Sequence, residues 1–175
     1  MNKQTTLLPI SAGLVLSLLV SPCLADEPNF QAGDVRGYNH TSSSINYFSV
    51  NGYGGARTRP YSESGAVCCA VLPAKWRPGV IMEVTWEADP NPFVDTPPLG
   101  TKEFRAFMVE HKKNYRRLSA MVELPPYEDQ VCAMQVHFLP CDEIKISTSC
   151  WKYPSPKNPI KEPPEMKEPA TCAKP

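Results

Sequence analysis

Spacings that bind metals or run thiol redox chemistry are missing from this chain. Its seven cysteines include no Cys-x-x-Cys pair, and its three histidines, His40, His111 and His137, stand far apart; this argues against zinc-type and thioredoxin-type sites. An excess of charge of one sign is missing too. The 18 Lys and Arg residues balance the 18 Asp and Glu residues, which leaves no general attraction to nucleic acid or anionic lipid. The one basic cluster, Lys112-Lys113 with Arg116-Arg117, reads as a solvated helix face rather than a phosphate track. No Gly-x-Ser-x-Gly elbow occurs and no Ser sits at a strand-to-helix turn. Paired carboxylates such as Glu83 and Glu87, or Glu128 and Asp129, are near in sequence, which does not make a shared acid/base site. The chain is therefore expected to carry no catalytic residue, no metal and no cofactor. It also lacks internal repeats and any second long apolar run.

The first apolar run reads as a secretory leader over residues 1–25. Lys3 gives a positive start, Leu7 to Val20 an apolar stretch, and Pro22-Cys23-Leu24-Ala25 a small-residue cleavage site before Asp26. That stretch is too short to be retained as a membrane span. Cleavage after Ala25 gives a soluble periplasmic chain. The alternative is a lipoprotein anchored through Cys23, against which Pro22 argues.

Beta-branched and aromatic runs separated by Gly, Pro and Asn predict an antiparallel β domain over residues 26–152. The expected strands are Asp34 to Thr41, Ile45 to Val50, Val67 to Leu72, Val80 to Glu87, Ser119 to Leu124, Val131 to Leu139 and Asp142 to Thr148, with Trp86 facing the core. Their arrangement is expected to be a two-layer antiparallel β-sandwich with one amphipathic helix. That helix starts at Thr101 and places Phe104, Phe107, Met108, His111 and Tyr115 on one face. The proline-rich stretch from Asp89 to Gly100 reads as a surface loop of restricted freedom, and Gly52 to Ser64 as a flexible loop. Residues 153–175, with seven prolines, are expected to form an extended, mobile tail that adds nothing to the core.

Six cysteines follow the leader: Cys68, Cys69, Cys132, Cys141, Cys150 and Cys172. In an exported chain they imply three disulfides. Neighbours on a strand point to opposite faces, so Cys68 and Cys69 are expected to reach different partners. A hairpin around Pro140-Cys141 favours Cys132 with Cys150, leaving Cys141 and Cys172 for Cys68 and Cys69.

Residue types enriched at interfaces collect in two places. Tyr53, Arg57, Arg59 and Tyr61 lie on the glycine-rich loop, and Trp76 with Arg77 precedes a Pro-Gly turn, where packing on the core edge competes with display to a partner. The proline-rich segment around Val94 and Leu99 invites the same question.

Several stretches in fixed order resemble a proteobacterial family of small exported proteins and lipoproteins of unknown function. They are Val35-Arg36-Gly37-Tyr38-Asn39-His40-Thr41, the Gly54-Gly55 loop, Val67-Cys68-Cys69, Leu72-Pro73-Ala74-Lys75-Trp76-Arg77-Pro78-Gly79, Trp86, and Val136-His137-Phe138-Leu139-Pro140 with Asp142. The resemblance covers most of Asp34 to Thr148. Genes of that family often stand beside type VI secretion phospholipase effectors. The resemblance implies an immunity protein that binds and neutralises a cognate lipase in the periplasm. One lightly charged domain paired with an effector needs no self-association, so the chain is expected to be monomeric before it binds. Pro22, the cysteines Cys141, Cys150 and Cys172, and the tail lie outside the family pattern. An envelope-associated structural or adhesive module and a secreted hydrolase are the competing readings.

Overall fold

The computed structural model describes residues 30–127 and 131–172. The expected leader, with Cys23 and the cleavage site, lies outside the described residues. Eight strands and one helix follow in order: β1 (Phe30–Asn39), β2 (Ser44–Val50), β3 (Tyr53–Gly55), β4 (Val67–Pro73), β5 (Ile81–Asp89), α1 (Lys102–His111), β6 (Arg116–Glu123), β7 (Ala133–Phe138) and β8 (Ile144–Thr148). They form two four-stranded sheets. Sheet A has the order β4-β1-β7-β8 and sheet B the order β3-β2-β5-β6. Both are mainly antiparallel, as the alternating patterns imply, but β1 and β7 run parallel from Asp34 opposite Ala133 to Asn39 opposite Phe138.

The core lies between the sheets, where alternate residues of each strand point inward. Val35, Met134, Val136, Phe138 and Ile146 of sheet A meet Phe48, Val50, Val84 and Trp86 of sheet B. Phe138 is the junction, edge-on to Phe48 at 5.2 Å and 6.1 Å from Trp86 between ring centroids. A Cβ at Gly55 would collide with the Phe48 ring, so close approach of β3 requires glycine there.

Three sequence expectations change. Cys132 and Cys150 pair as expected, but Cys68 bonds Cys69, and Cys141 bonds Cys172. The Cys68–Cys69 bond brings both sulfurs to one side of β4, where the opposite-face argument for strand neighbours set them apart. Cys141 is free to take Cys172 because the tail folds back over sheet A instead of trailing into solvent. Among its described residues the tail forms no strand or helix, yet Tyr153 and Asn158 are buried. Asn158 Nδ2 donates to Gln135 Oε1 at 2.7 Å and to the Trp151 carbonyl at 2.7 Å, and Lys145 is ion-paired with Glu162. Composition could not show this, because the tail is held by polar anchors rather than by apolar area. Its cover over the outer face of sheet A explains why all six residues of β7 are buried.

The segment expected to be a flexible loop is also tied down. Tyr53–Gly55 pairs with β2. Thr58 exchanges backbone hydrogen bonds with Ile45 at 2.9 and 2.8 Å, Asn39 N–H donates to the Ser62 carbonyl at 2.9 Å, and Ser64 N–H donates to Gly37 at 2.8 Å. It crosses from sheet B to sheet A pinned by these backbone hydrogen bonds, which removes the freedom its glycines suggested. Among the described residues no helix is long and apolar enough to cross a membrane.

Candidate functional site

Among the described residues the connection from β5 to β6 is the most exposed apolar feature, and local bonding holds it in shape. Asp89 ends β5 and accepts from Asn91 N–H at 3.0 Å and from His111 Nε2 at 3.0 Å. The Asp89 and His111 side chains are both nearly sealed from solvent, so the pair clamps the end of α1 to the end of β5. At the start of α1, Thr101 Oγ1 caps the helix by accepting from Phe104 N–H at 3.0 Å, and its hydroxyl donates to the Pro98 carbonyl at 2.8 Å. His111 then stacks on Phe107 at 5.3 Å and meets Tyr115 edge-on at 5.4 Å. The face expected to be apolar is therefore the face that packs, although only to half-burial; none of the helix residues is fully buried.

Between these two clamps, Pro90, Pro92, Pro97 and Pro98 limit the backbone. Phe93 and Leu99 are each 83% exposed, with Val94 and, on the outer face of α1, Val109 beside them in sequence order. A slack loop would fold such side chains inward, whereas this one presents them to solvent in a restricted conformation, the state that lowers the ordering cost of association.

The six residues singled out in sequence do not form one patch. Arg57, Arg59 and Tyr61 lie at the end of the sandwich where β2 begins: Arg57 donates to Ser44 Oγ at 3.5 Å, and the Arg59 carbonyl accepts from Asn39 Nδ2 at 3.0 Å. Tyr61 is exposed and has a left-handed φ of 50°. Arg57 also lies within electrostatic range of Tyr115, which places it beside the β5–β6 connection. Tyr53 sits on β3 opposite Val50, the far end of β2. Trp76 and Arg77 are at that same far end: Trp76 Nε1 donates to the Leu124 carbonyl at 2.9 Å, so the indole covers the core edge, while Arg77 is exposed. Sequence reasoning marked the proline-rich segment but could not assign the exposure of Phe93 and Leu99. The signal was there in apolar residues set among prolines that forbid their collapse.

A second cluster lies under the tail on the outer face of sheet A. His40 Nδ1 is 2.6 Å from the Pro163 carbonyl and His40 Nε2 is 2.9 Å from His137 Nδ1. A carbonyl only accepts, so Nδ1 of His40 carries its proton. Its Nε2 then accepts from His137 Nδ1–H, and His137 Nε2 is left as a bare lone pair. That atom is buried without a hydrogen-bond partner. Burial, and then the neighbouring His40, lower the His137 pKa to about 3, and burial likewise lowers that of His40. Tyr38 stacks on His137 at 4.8 Å and Tyr153 closes the cluster edge-on at 5.1 Å. This is a neutral latch between tail and sheet.

Two groupings of acidic and sulfur side chains, Asp34 with Cys68 and Cys69, and Glu168 with Cys141 and Cys172, have their sulfurs in disulfides and so offer a cation one carboxylate each. A cleft of about 870 Å³ opens beside β6, lined by Trp86, Leu118, Ala120, Met166 and Pro169. Residues 38–146 match the family model described as "Protein of unknown function (DUF3304)". No curated protein and no solved structure matches the chain.

Proposed function

We propose that this chain, which belongs to the DUF3304 family, is an exported immunity protein that binds and neutralises a type VI secretion phospholipase effector in the periplasm. The observation that carries this reading is the pair Phe93 and Leu99, 83% exposed on a proline-stiffened connection clamped at both ends. An enzyme that cleaves lipids must offer an apolar entrance to acyl chains. A rigid apolar projection is complementary to such an entrance, and inhibition by occlusion needs preorganised surface rather than chemistry of its own. Arg57, beside Tyr115 at the base of the projection, supplies charge at the rim of the contact, where it steers association more than it adds affinity. The disulfides suit an oxidising compartment.

The test mixes the oxidised chain from Asp26 to Pro175 with a candidate type VI phospholipase effector of the same bacterium and measures phospholipase activity against stoichiometry. One equivalent is expected to abolish activity. Phe93→Ser with Leu99→Ser is expected to weaken binding at least about a hundredfold, since each removes an apolar anchor worth roughly 1.5–3 kcal/mol on burial, and to leave unfolding unchanged. Full activity in the presence of folded protein would sink the proposal and favour an envelope-associated module.

A further inference from the structure

Three of the four sheet edges carry features that discourage pairing with another strand. β3 has three residues, two of them glycine. β4 shifts register against β1 and ends in Pro73. β8 has five residues, with Lys145 held by Glu162 of the tail. β6 carries such a tie only at its first residue, where Arg116 pairs with Asp142 at 2.7 Å. It is eight residues long, keeps unbroken register with β5 from Arg116 to Glu123, and holds no charge, proline or glycine from Leu118 to Val122. An open edge of this kind is a template for a further strand. Its core-facing side chains Leu118, Ala120 and Val122 are half-buried, although their β5 partners Trp86, Val84 and Met82 are buried. Beyond the edge lies the cleft, whose far side is formed by Pro140, Asp142 and Glu143 and by Met166, Lys167 and Pro169 of the tail. On the outer face Met121 is 69% exposed.

The sequence of the strand identifies its occupant. We infer that β6 is a self-association edge, at which a second copy of this chain pairs antiparallel about a two-fold axis through Ala120, joining the two B sheets into one. That register sets Leu118 opposite Val122 of the copy on the core-facing side. On the outer face it sets Arg117 opposite Glu123 of the copy. Each pair occurs twice by symmetry, as an isologous interface requires, and both kinds of cross-strand pair are favourable. Moving the axis to Ser119 or to Met121 keeps the faces matched but separates Arg117 from Glu123, so charge selects the register. Arg117 can serve because its side chain is 80% exposed while it donates to Glu87 at 3.0 Å. The expectation of a monomer rested on charge balance and on the sufficiency of one effector contact, neither of which reports on a sheet edge.

Sedimentation equilibrium of the oxidised mature chain over a wide concentration range tests this without any effector, so it succeeds or fails independently of the immunity reading. A monomer–dimer equilibrium is expected. Glu123→Lys, which leaves the Arg117–Glu87 contact alone, is expected to raise the dimer dissociation constant about tenfold by opposing like charges, and adding Arg117→Glu to it is expected to restore most of the loss. Hydrogen exchange checks the location: amides from Leu118 to Val122 gain protection as concentration rises. A monomeric mass throughout, or a dimer indifferent to Glu123→Lys in protein that unfolds normally, overturns the inference.

Discussion

Acidification to pH 5 removes about 2 kcal/mol of stability from this domain through His137 alone. His137 is fully buried and its pKa in the folded chain is about 3, whereas an unfolded chain returns it to about 6.5. The unfolded state therefore binds its proton first as pH falls. The stabilisation is complete above pH 6.5 and is lost progressively below it, until the folded state also titrates near pH 3. At pH 5 the unfolded chain gains about 1.5 pH units of protonation free energy, roughly 1.36 kcal/mol each, which gives the figure stated. His40, lowered by burial, adds in the same direction. The groups facing the pair are Tyr38 on β1, Lys145 on β8, and Tyr153 and Glu162 in the tail. Burial of Glu162 is the largest influence and raises its pKa, but the hydrogen bond and charge of Lys145 together with backbone N–H donors outweigh it, leaving the pKa lowered; its loss of stability therefore falls below about pH 4.5, outside the window used here. The assay is urea unfolding with disulfides intact at pH 7.5 and pH 5, compared with His137→Asn, whose amide N–H can replace Nδ1–H as donor to His40. The variant is expected to lose about 2 kcal/mol less than the native chain over that interval. Equal losses, or a His137 resonance titrating near pH 6.5 in the folded protein, would refute the reasoning.

Gly55→Ala drives a methyl group into the Phe48 ring and is expected to lower stability by about 1–3 kcal/mol, read as a shift of the urea midpoint at constant slope. Cys141→Ser with Cys172→Ser frees the end of the tail; about 3–4 kcal/mol of constraint is lost, and limited proteolysis is expected to cut first between Trp151 and Met166 while the sandwich stays folded.

Most of the strand plan could be read from the sequence because half-buried antiparallel strands write their burial into a period of two. Met82, Val84 and Trp86 face the core, as their alternation implies, and Thr101 caps α1. The period failed where both faces of a strand are covered. In β7 the outward residues Gln135 and His137 are polar yet buried, and nothing local announces that Asn158 and Pro163, far along the chain, will meet them. The tail misled for the same reason: its buried anchors are an amide, a phenol and backbone carbonyls, which composition counts as solvent-facing. The candidate site was half legible. Prolines predicted a stiff loop after Asp89, but the clamp that aims it, Asp89 to His111, joins residues whose meeting depends on how α1 returns to β6.

Sheet A and sheet B stand in opposite relations to solvent, and this bears on where a partner can act. The chain covers the outer face of sheet A with its own tail, sealing His137 and Gln135. It leaves the outer face of sheet B bare, with Tyr47, Ile81 and Met121 exposed. The clamped projection grows from the same sheet, between β5 and β6. Pairing through β6 and capture of an effector by Phe93 and Leu99 use neighbouring parts of the chain, since α1 runs directly into β6 through the turn Lys112–Asn114. The two-fold keeps them from conflicting. Antiparallel β6 strands begin at opposite ends of their shared ladder, so the two projections leave the joined sheet at opposite ends, each about the length of β6 from the other's base. Eight residues at roughly 3.4 Å each make that separation on the order of 27 Å. Self-association would thus present two copies of the projection instead of burying them.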